Sequence, residues 1–253
     1  MRLILTQPVE RSDDIDLNFE MILHEAQKAG YESEADDILV LPELIGAVSR
    51  ADQYERWVCT TAEELGCMVV GGSHHERRGN HIVNCGAVAT PDGDILARYD
   101  KHRPYGVEVA QGIAGGDTLG QFCLNERNIV VLICFDLWFS DLFQQMEVWP
   151  DVVVTPSFSV SQRTFPQSAQ NLWQHMTVSR AYEFAAYIGI SDWAYPCEYD
   201  GLKSSGVAGL ANPRPEGIRH FDPVGDQVFK SHPLNFDRLD QLHENRRARG
   251  FVR

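Results

Sequence analysis

Positive charge is scarce in this chain. Its 253 residues carry 22 Lys+Arg against 36 Asp+Glu, a formal net charge of -14. Such a surface repels a phosphate backbone, which excludes a general nucleic-acid binder. The one basic cluster, "RRAR" from Arg246 to Arg249, is expected to pair with acidic neighbours. Long apolar runs are also missing, and nothing approaches the ~20 residues of a membrane span. The opening "MRLILTQPVE" has one basic residue and an apolar run of three, unlike a signal peptide. Cysteine is limited to six widely spaced residues with no C-x-x-C pair. Reduced thiols in a cytoplasmic protein are therefore expected. No Ser/Gly/Pro-rich linker, low-complexity tract or repeat divides the chain. One domain over residues 1–253 is expected, with a tail from about residue 233 that is extended or engaged in oligomer contacts.

What is present is an alternation of short apolar runs and helical periods. "RLILTQ" reads as a buried strand. In "DDIDLNFEMILHEAQKAG" the residues Ile15, Phe19, Ile22, Leu23 and Ala26 recur at helical spacing. Asp13 or Asp14 is the expected N-cap and Gly30 the stop. "DDILVLPEL" reads as a second strand cut by Pro42, and "ADQYERWVCTTAEELG" as a helix closed by Gly66. The stretch from Cys67 to Lys101 reads as three strands joined by Gly-rich turns, with "PDGD" the clearest hairpin signal. "NIVVLICFD" is a strand, "SDLFQQMEVW" a short helix, "DVVVTPSF" a strand, "QSAQNLWQHMTVSRAYEFA" a helix and "AYIGISDW" a strand.

Three of these strands turn abruptly from apolar to reactive, at Glu43, Lys101 and Cys134. Reactive groups in sheet-based α/β proteins commonly stand just past strand ends, on loops that a rigid scaffold holds. Taken alone, Cys134 in an apolar run is more often a core thiol, Lys101 a surface lysine and Glu43 a turn carboxylate.

Together the motifs are similar to those of the nitrilase superfamily of carbon–nitrogen hydrolases. "VLPEL" resembles that family's glutamate motif, "ARYDKHRPYGVE" its lysine motif and "LICFDLWFSDL" its cysteine motif. "NFEMILHEA", "VNCGAVATPDGDILARY", "SRAYEFAAYIGIS" and "GVAGLANP" extend the likeness over nearly the whole chain. The resemblance implies a four-layer α-β-β-α sandwich and a homodimer or larger homo-oligomer. It also implies a Glu43–Lys101–Cys134 catalytic set needing no metal and no organic cofactor, and a small-molecule amide substrate. Glu108, seven residues past Lys101, stands near a second glutamate of the family that orients the lysine.

The chemistry of these groups suits amide hydrolysis. A thiolate attacks even as a minority species, and a neighbouring ammonium such as Lys101 is expected to favour that form. A partly desolvated Glu43 has its pKa raised toward the working pH, as a proton carrier needs. Lys101 and the backbone N–H of Phe135 would face the oxyanion. Ammonia leaves, a thioester remains, and water releases the acid. Nitrile or N-carbamoyl hydrolysis is the alternative within this chemistry. A catalytically silent binding or scaffold subunit is the alternative outside it.

Departures from the family pattern bear on specificity. Relatives reading "CYDLRFPE" carry an arginine where this chain has Trp138, and Pro–Glu where it has Ser140–Asp141. Trp138 is expected to line an apolar entrance, with Ser157 and Phe158 as further pocket residues. Asp192 stands where relatives place an asparagine near the substrate, and its carboxylate is expected to repel acidic amides. The His74, His75 and His81 segment is not expected to bind metal, because neighbouring histidines on a strand face opposite ways. "GIAGGDTLG" lacks the residues of a phosphate loop and reads as a turn. The other five cysteines are expected to be packing.

Overall fold

A computed structural model of the chain describes residues 1–146, 148–161 and 165–251. Two sheets form its centre. The first runs β16 (Phe229–Pro233), β1 (Arg2–Thr6), β2 (Ile38–Val40), β3 (Met68–Val70), β5 (His81–Ala89), β4 (His74–Arg78). Strands β6 (Ile95–Asp100) and β7 (Ile113–Ala114) also pair with β5. The second runs β15 (Phe221–Pro223), β14 (Gly209–Ala211), β11 (Tyr187–Ser191), β10 (Val152–Pro156), β9 (Arg127–Val131), β8 (Gly120–Leu124). A small hairpin, β12 (Glu198–Tyr199) with β13 (Leu202–Lys203), lies apart. The helices are α1 (Ile15–Lys28), α2 (Ala51–Leu65), α3 (Val107–Ala110), α4 (Asp141–Gln144), α5 (Pro166–Phe184) and α6 (Phe236–Ala248).

The layering follows from the two-residue period of a strand. Leu3, Leu5, Ile38, Val40, Met68 and Val70 join residues of β9, β10 and β11 in one buried cluster. The alternating Ile4, Leu39 and Val69 join Ile15, Phe19, Ile22, Tyr54, Val58 and Ala62 of α1 and α2 in another. Both faces of the first sheet are therefore covered, so its central strands are continuously apolar rather than alternating. Each large aliphatic side chain buried this way contributes roughly 1.5–3 kcal/mol. Where the sheets meet, Gly189 leaves room for its neighbours: a Cβ there would stand 2.4 Å from Leu3 Cδ2. Ser191 ties the sheets by donating from Oγ to Val40 O at 2.8 Å.

The outer helices are capped as expected at two places. The Asp14 carboxylate accepts from Asp16 N at 3.0 Å to start α1. Gly66, at φ +64, closes α2 in the left-handed conformation that glycine tolerates. Three expectations are corrected. The Cys67–Lys101 region holds four strands, because Gly71 and Gly72 separate β3 from β4, whose "HHERR" carries no hydrophobic signal. Helix α4 spans four residues rather than the ten of "SDLFQQMEVW", of which Glu147 lies outside the described residues. The tail is not extended beyond Asn235, which accepts from Arg238 N at 3.1 Å and starts α6. That helix docks by chemistry suited to a helix C-terminus. Arg246 donates to Glu183 O at 2.9 Å and to Tyr182 O, and His243 Nε2 lies 2.7 Å from Ala185 O. Arg246 thus meets carbonyls at the end of α5 in place of acidic neighbours.

Candidate active site

Four strand ends converge where the chain leaves the sheets. Past β2, Glu43 is held by its own N–H, which donates to Ser157 O at 3.2 Å. Lys101 follows β6 and Cys134 follows β9, at the first residue of a 3-10 turn, Cys134–Trp138. Cys134 has φ +47 and Leu44, next to Glu43, has φ +59. Left-handed backbone at non-glycine residues costs about 1 kcal/mol or more and is kept only where the surroundings enforce it. Here it turns the Cys134 side chain out of the strand direction, toward Glu43.

The buried Lys101 ammonium lies between two carboxylates, 2.6 Å from Glu43 Oε1 and 2.5 Å from Glu108 Oε2. Asn84 bridges the same pair, its Nδ2 donating to Glu43 Oε1 at 2.8 Å and to Glu108 Oε1 at 2.7 Å. Glu108 also accepts from Tyr105 N at 3.1 Å, and His75 Nε2 lies 3.4 Å from its Oε1. The free oxygen of Glu43 accepts from Phe158 N at 2.9 Å, while the Cys134 thiol reaches Phe158 O at 3.9 Å. A single peptide segment at Phe158 therefore contacts both the carboxylate and the sulfur.

Two carboxylates sharing one ammonium leave an uncompensated negative charge in a dry site. Burial pushes Glu43 up, with the Lys101 ammonium opposing and the Glu108 charge adding to the rise. Burial pushes Glu108 up as well, but Lys101 and the donors His75 and Asn84 outweigh it and hold it at about 2. Lys101 stays charged, because the two carboxylates outweigh its desolvation. Burial raises the Cys134 thiol and the charge on Glu43 raises it further, more than Lys101 lowers it. Lys101 thus pulls the thiol down as expected, but burial and the Glu43 charge outweigh it, leaving a thiol beside a base.

The open space divides in two. A cavity of about 20 Å³ is bordered by Glu43, Lys101, Glu108, Cys134 and Tyr199, room for roughly one water. Beside it a cavity of about 200 Å³ shares Cys134 and is walled by Tyr105, Phe135, Trp138, Phe158 and Trp173. None of the described residues bordering the larger cavity is charged.

Of the expected pocket residues, Trp138 and Phe158 border the larger cavity, whereas Ser157 and Asp192 do not. Ser157 is buried with its hydroxyl turned to Thr155 O at 3.4 Å. Asp192 is fully buried and borders neither cavity. Its carboxylate accepts from Ser159 N at 3.0 Å, Ser159 Oγ at 2.5 Å and Val207 N at 2.8 Å. It braces the loop carrying Phe158. Asp141 pairs with Arg103, so the acidic residue retained there has found another cation.

Sequence reasoning missed Asn84, His75 and Asp136. Asn84 and His75 sit on paired strands, facing each other in register. Asp136 accepts from His102 N at 3.0 Å and Arg103 N at 2.8 Å, fixing the loop just after Lys101. Burial pushes its carboxyl up to about 7, against those two donors and the nearby Lys101 charge. Its place inside "CFDLW", two residues from the sulfur, was the available signal.

A buried cysteine, glutamate and lysine thus meet at the strand ends of a two-sheet sandwich. Residues 6–214 match the sequence profile of the carbon–nitrogen hydrolases, and the chain belongs to that family. It is 27% identical over 222 residues to "Hydrolase in agr operon" of Staphylococcus lugdunensis, covering 81% of this chain and 90% of the relative. It is 25% identical over 169 residues to the 2-oxoglutaramate amidase of Bacillus subtilis (strain 168), covering 62% and 63% respectively. Among solved structures, a mutant amidase from Nesterenkonia sp. AN1 in complex with butyramide matches with a TM-score of 0.72 at 20% identity, covering 97% of this chain and 96% of the other. The four-layer α/β fold is thus shared with nitrilase-superfamily structures.

Proposed function

We propose that the protein is a cysteine amidohydrolase that converts a small, uncharged linear amide to a carboxylic acid and ammonia. The observation that carries this reading is the meeting of the Glu43 carboxylate, the Lys101 ammonium and the Cys134 thiol at one small cavity. Glu43 accepts the thiol proton as sulfur attacks the amide carbon. Lys101 and the Phe135 N–H face the oxygen that becomes negative, where one donor is worth on the order of 3 kcal/mol. Glu43 returns the proton to the departing nitrogen, leaving a thioester on Cys134. It then activates the water that releases the acid. Glu108 and Asn84 hold Lys101 and Glu43 in register throughout.

The acyl group left on sulfur would occupy the larger cavity, whose aromatic wall suits an apolar chain and whose described residues carry no charge. Relatives that act on amides, and a solved relative holding butyramide, support the amide reading over a nitrile or N-carbamoyl one. Mass spectrometry of the intact protein mixed with butyramide, benzamide and 2-oxoglutaramate, together with ammonia release, tests it. A Cys134 adduct with the mass of the acyl group is expected, absent in Cys134→Ala. Ammonia release that survives Cys134→Ala would remove Cys134 as the nucleophile, and no adduct with no turnover across a broader amide panel would leave the silent-scaffold reading in its place.

A further inference from the structure

Strand β4 presents its residues to two different surroundings. His75 faces the catalytic carboxylates, so by strand alternation His74 and Glu76 lie on the opposite face, toward α2. On the neighbouring strand Asn84 faces the catalytic side and Cys85 the other, directly opposite His74 in the pairing register. Three donor atoms of different chemistry therefore meet outside the catalytic centre. Cys85 Sγ is 3.4 Å from His74 Nε2 and 3.2 Å from Glu76 Oε2, and the latter two are 4.0 Å apart.

These separations approach the edges of a metal coordination tetrahedron. Bonds of about 2.3 Å to sulfur and about 2.0–2.2 Å to nitrogen and oxygen give edges of roughly 3.3–3.6 Å. Only the His74–Glu76 edge is long, and closing it takes an inward movement of the partly exposed Glu76 carboxylate against its contact with Arg78. The imidazole is already oriented for a ligand. Its Nδ1 lies 3.0 Å from Ser49 Oγ, and its ring stacks on Tyr54 at 4.0 Å with an 8° tilt. A hydrogen bond at one ring nitrogen is the usual way to aim the other at an ion.

We infer that His74, Glu76 and Cys85 form a binding site for a borderline-soft divalent cation of the zinc class. One thiolate, one imidazole and one carboxylate suit such an ion better than magnesium or calcium, which prefer oxygen alone. Binding replaces the Cys85 thiol proton by the metal and releases that proton to solvent, while neutral His74 releases none. Affinity therefore rises with pH. The Arg78 guanidinium, 3.3 Å from Glu76 and 2.9 Å from Asp100, balances the carboxylate charge beside the ion.

Cobalt(II) titration of the full-length chain tests the site, because thiolate ligation gives a near-ultraviolet charge-transfer band that oxygen or nitrogen ligands do not. The parent is Cys134→Ala, which removes the catalytic thiol as a competing ligand. One equivalent of cobalt is expected to develop the band, zinc to bleach it stoichiometrically, and higher pH to shift the titration to lower metal. Adding Cys85→Ser should abolish the band, and adding Glu76→Gln should weaken binding by about tenfold or more. Circular dichroism confirms that each variant is folded, and the half-exposed Glu76→Gln guards against a Cys85→Ser chain that is not. No band in the folded parent, or a band that outlives Cys85→Ser, overturns the site.

Discussion

Cys134 and Cys85 invite comparison, since each is a buried thiol within reach of a glutamate. Cys134 sits on left-handed backbone past a strand end, next to an ammonium and two cavities. Cys85 sits inside a regular strand, paired with an imidazole and under the influence of a guanidinium held by other carboxylates. Burial raises both thiols, so acidity does not separate them. What separates them is the open space beside Cys134. The difference teaches that two thiols alike in burial are set apart by where the backbone puts them.

The sharpest way to break that contrast is to remove one sulfur at a time. Cys134→Ala should reduce amide turnover by about 10⁴-fold or more, measured as ammonia release, whereas Cys85→Ser should leave the acyl adduct at Cys134 intact. Replacing Lys101 by Met should cost on the order of 10²–10³ in kcat. It also strands two buried carboxylates, so a loss of about 3–5 kcal/mol in stability is expected by denaturant unfolding. Asp192→Asn is a milder test. An amide nitrogen cannot accept from Ser159 or Val207, and the expected cost is about 1–3 kcal/mol. Burial raises Asp192 to about 6, so the native state favours its protonated form. Its contribution is fully present below about pH 4 and declines as pH rises through about 6, and this slope should vanish in Asp192→Asn. An effect of similar size, read in substrate preference, belongs to the wall of the larger cavity. Trp138→Ala should raise KM for apolar amides by roughly 10–200-fold with little change for acetamide.

The pH profile sharpens the same comparison. Glu43 must be ionised to take the thiol proton, and burial raises its pKa. The acid limb of kcat/KM is therefore expected above the ordinary carboxylate range, with the rate falling as pH drops. A limb near the unperturbed value of about 4.3 would count against Glu43 as the base.

Much of this site could be read from the sequence, for a local reason. Glu43, Lys101 and Cys134 each follow an apolar strand, and a strand end is visible as an abrupt change in hydropathy. The helix limits at Asp14 and Gly66 were visible because caps are local chemistry. Asn84 and His75 were not visible, since their roles depend on which strands pair, and β4 has no apolar pattern to announce it. Asp192 misled for the related reason that a carboxylate near a strand end may face inward. Only the donors of Ser159 and Val207, supplied from distant parts of the chain, decide that direction. The tail after Asn235 misled because a helix so polar is stabilised by docking, which no window of its own residues reports.

The peptide at Phe158 gives its N–H to one reactive side chain and its carbonyl to the other. Base and nucleophile are consequently tethered to a common post and cannot drift independently. The same loop also supplies a wall of the acyl cavity, so enlarging that chamber through Phe158 or Val160 would simultaneously retune the proton carrier. New substrates should be easier to accommodate from the Trp173 side, on α5, away from both the Phe158 loop and the Cys134–Trp138 turn.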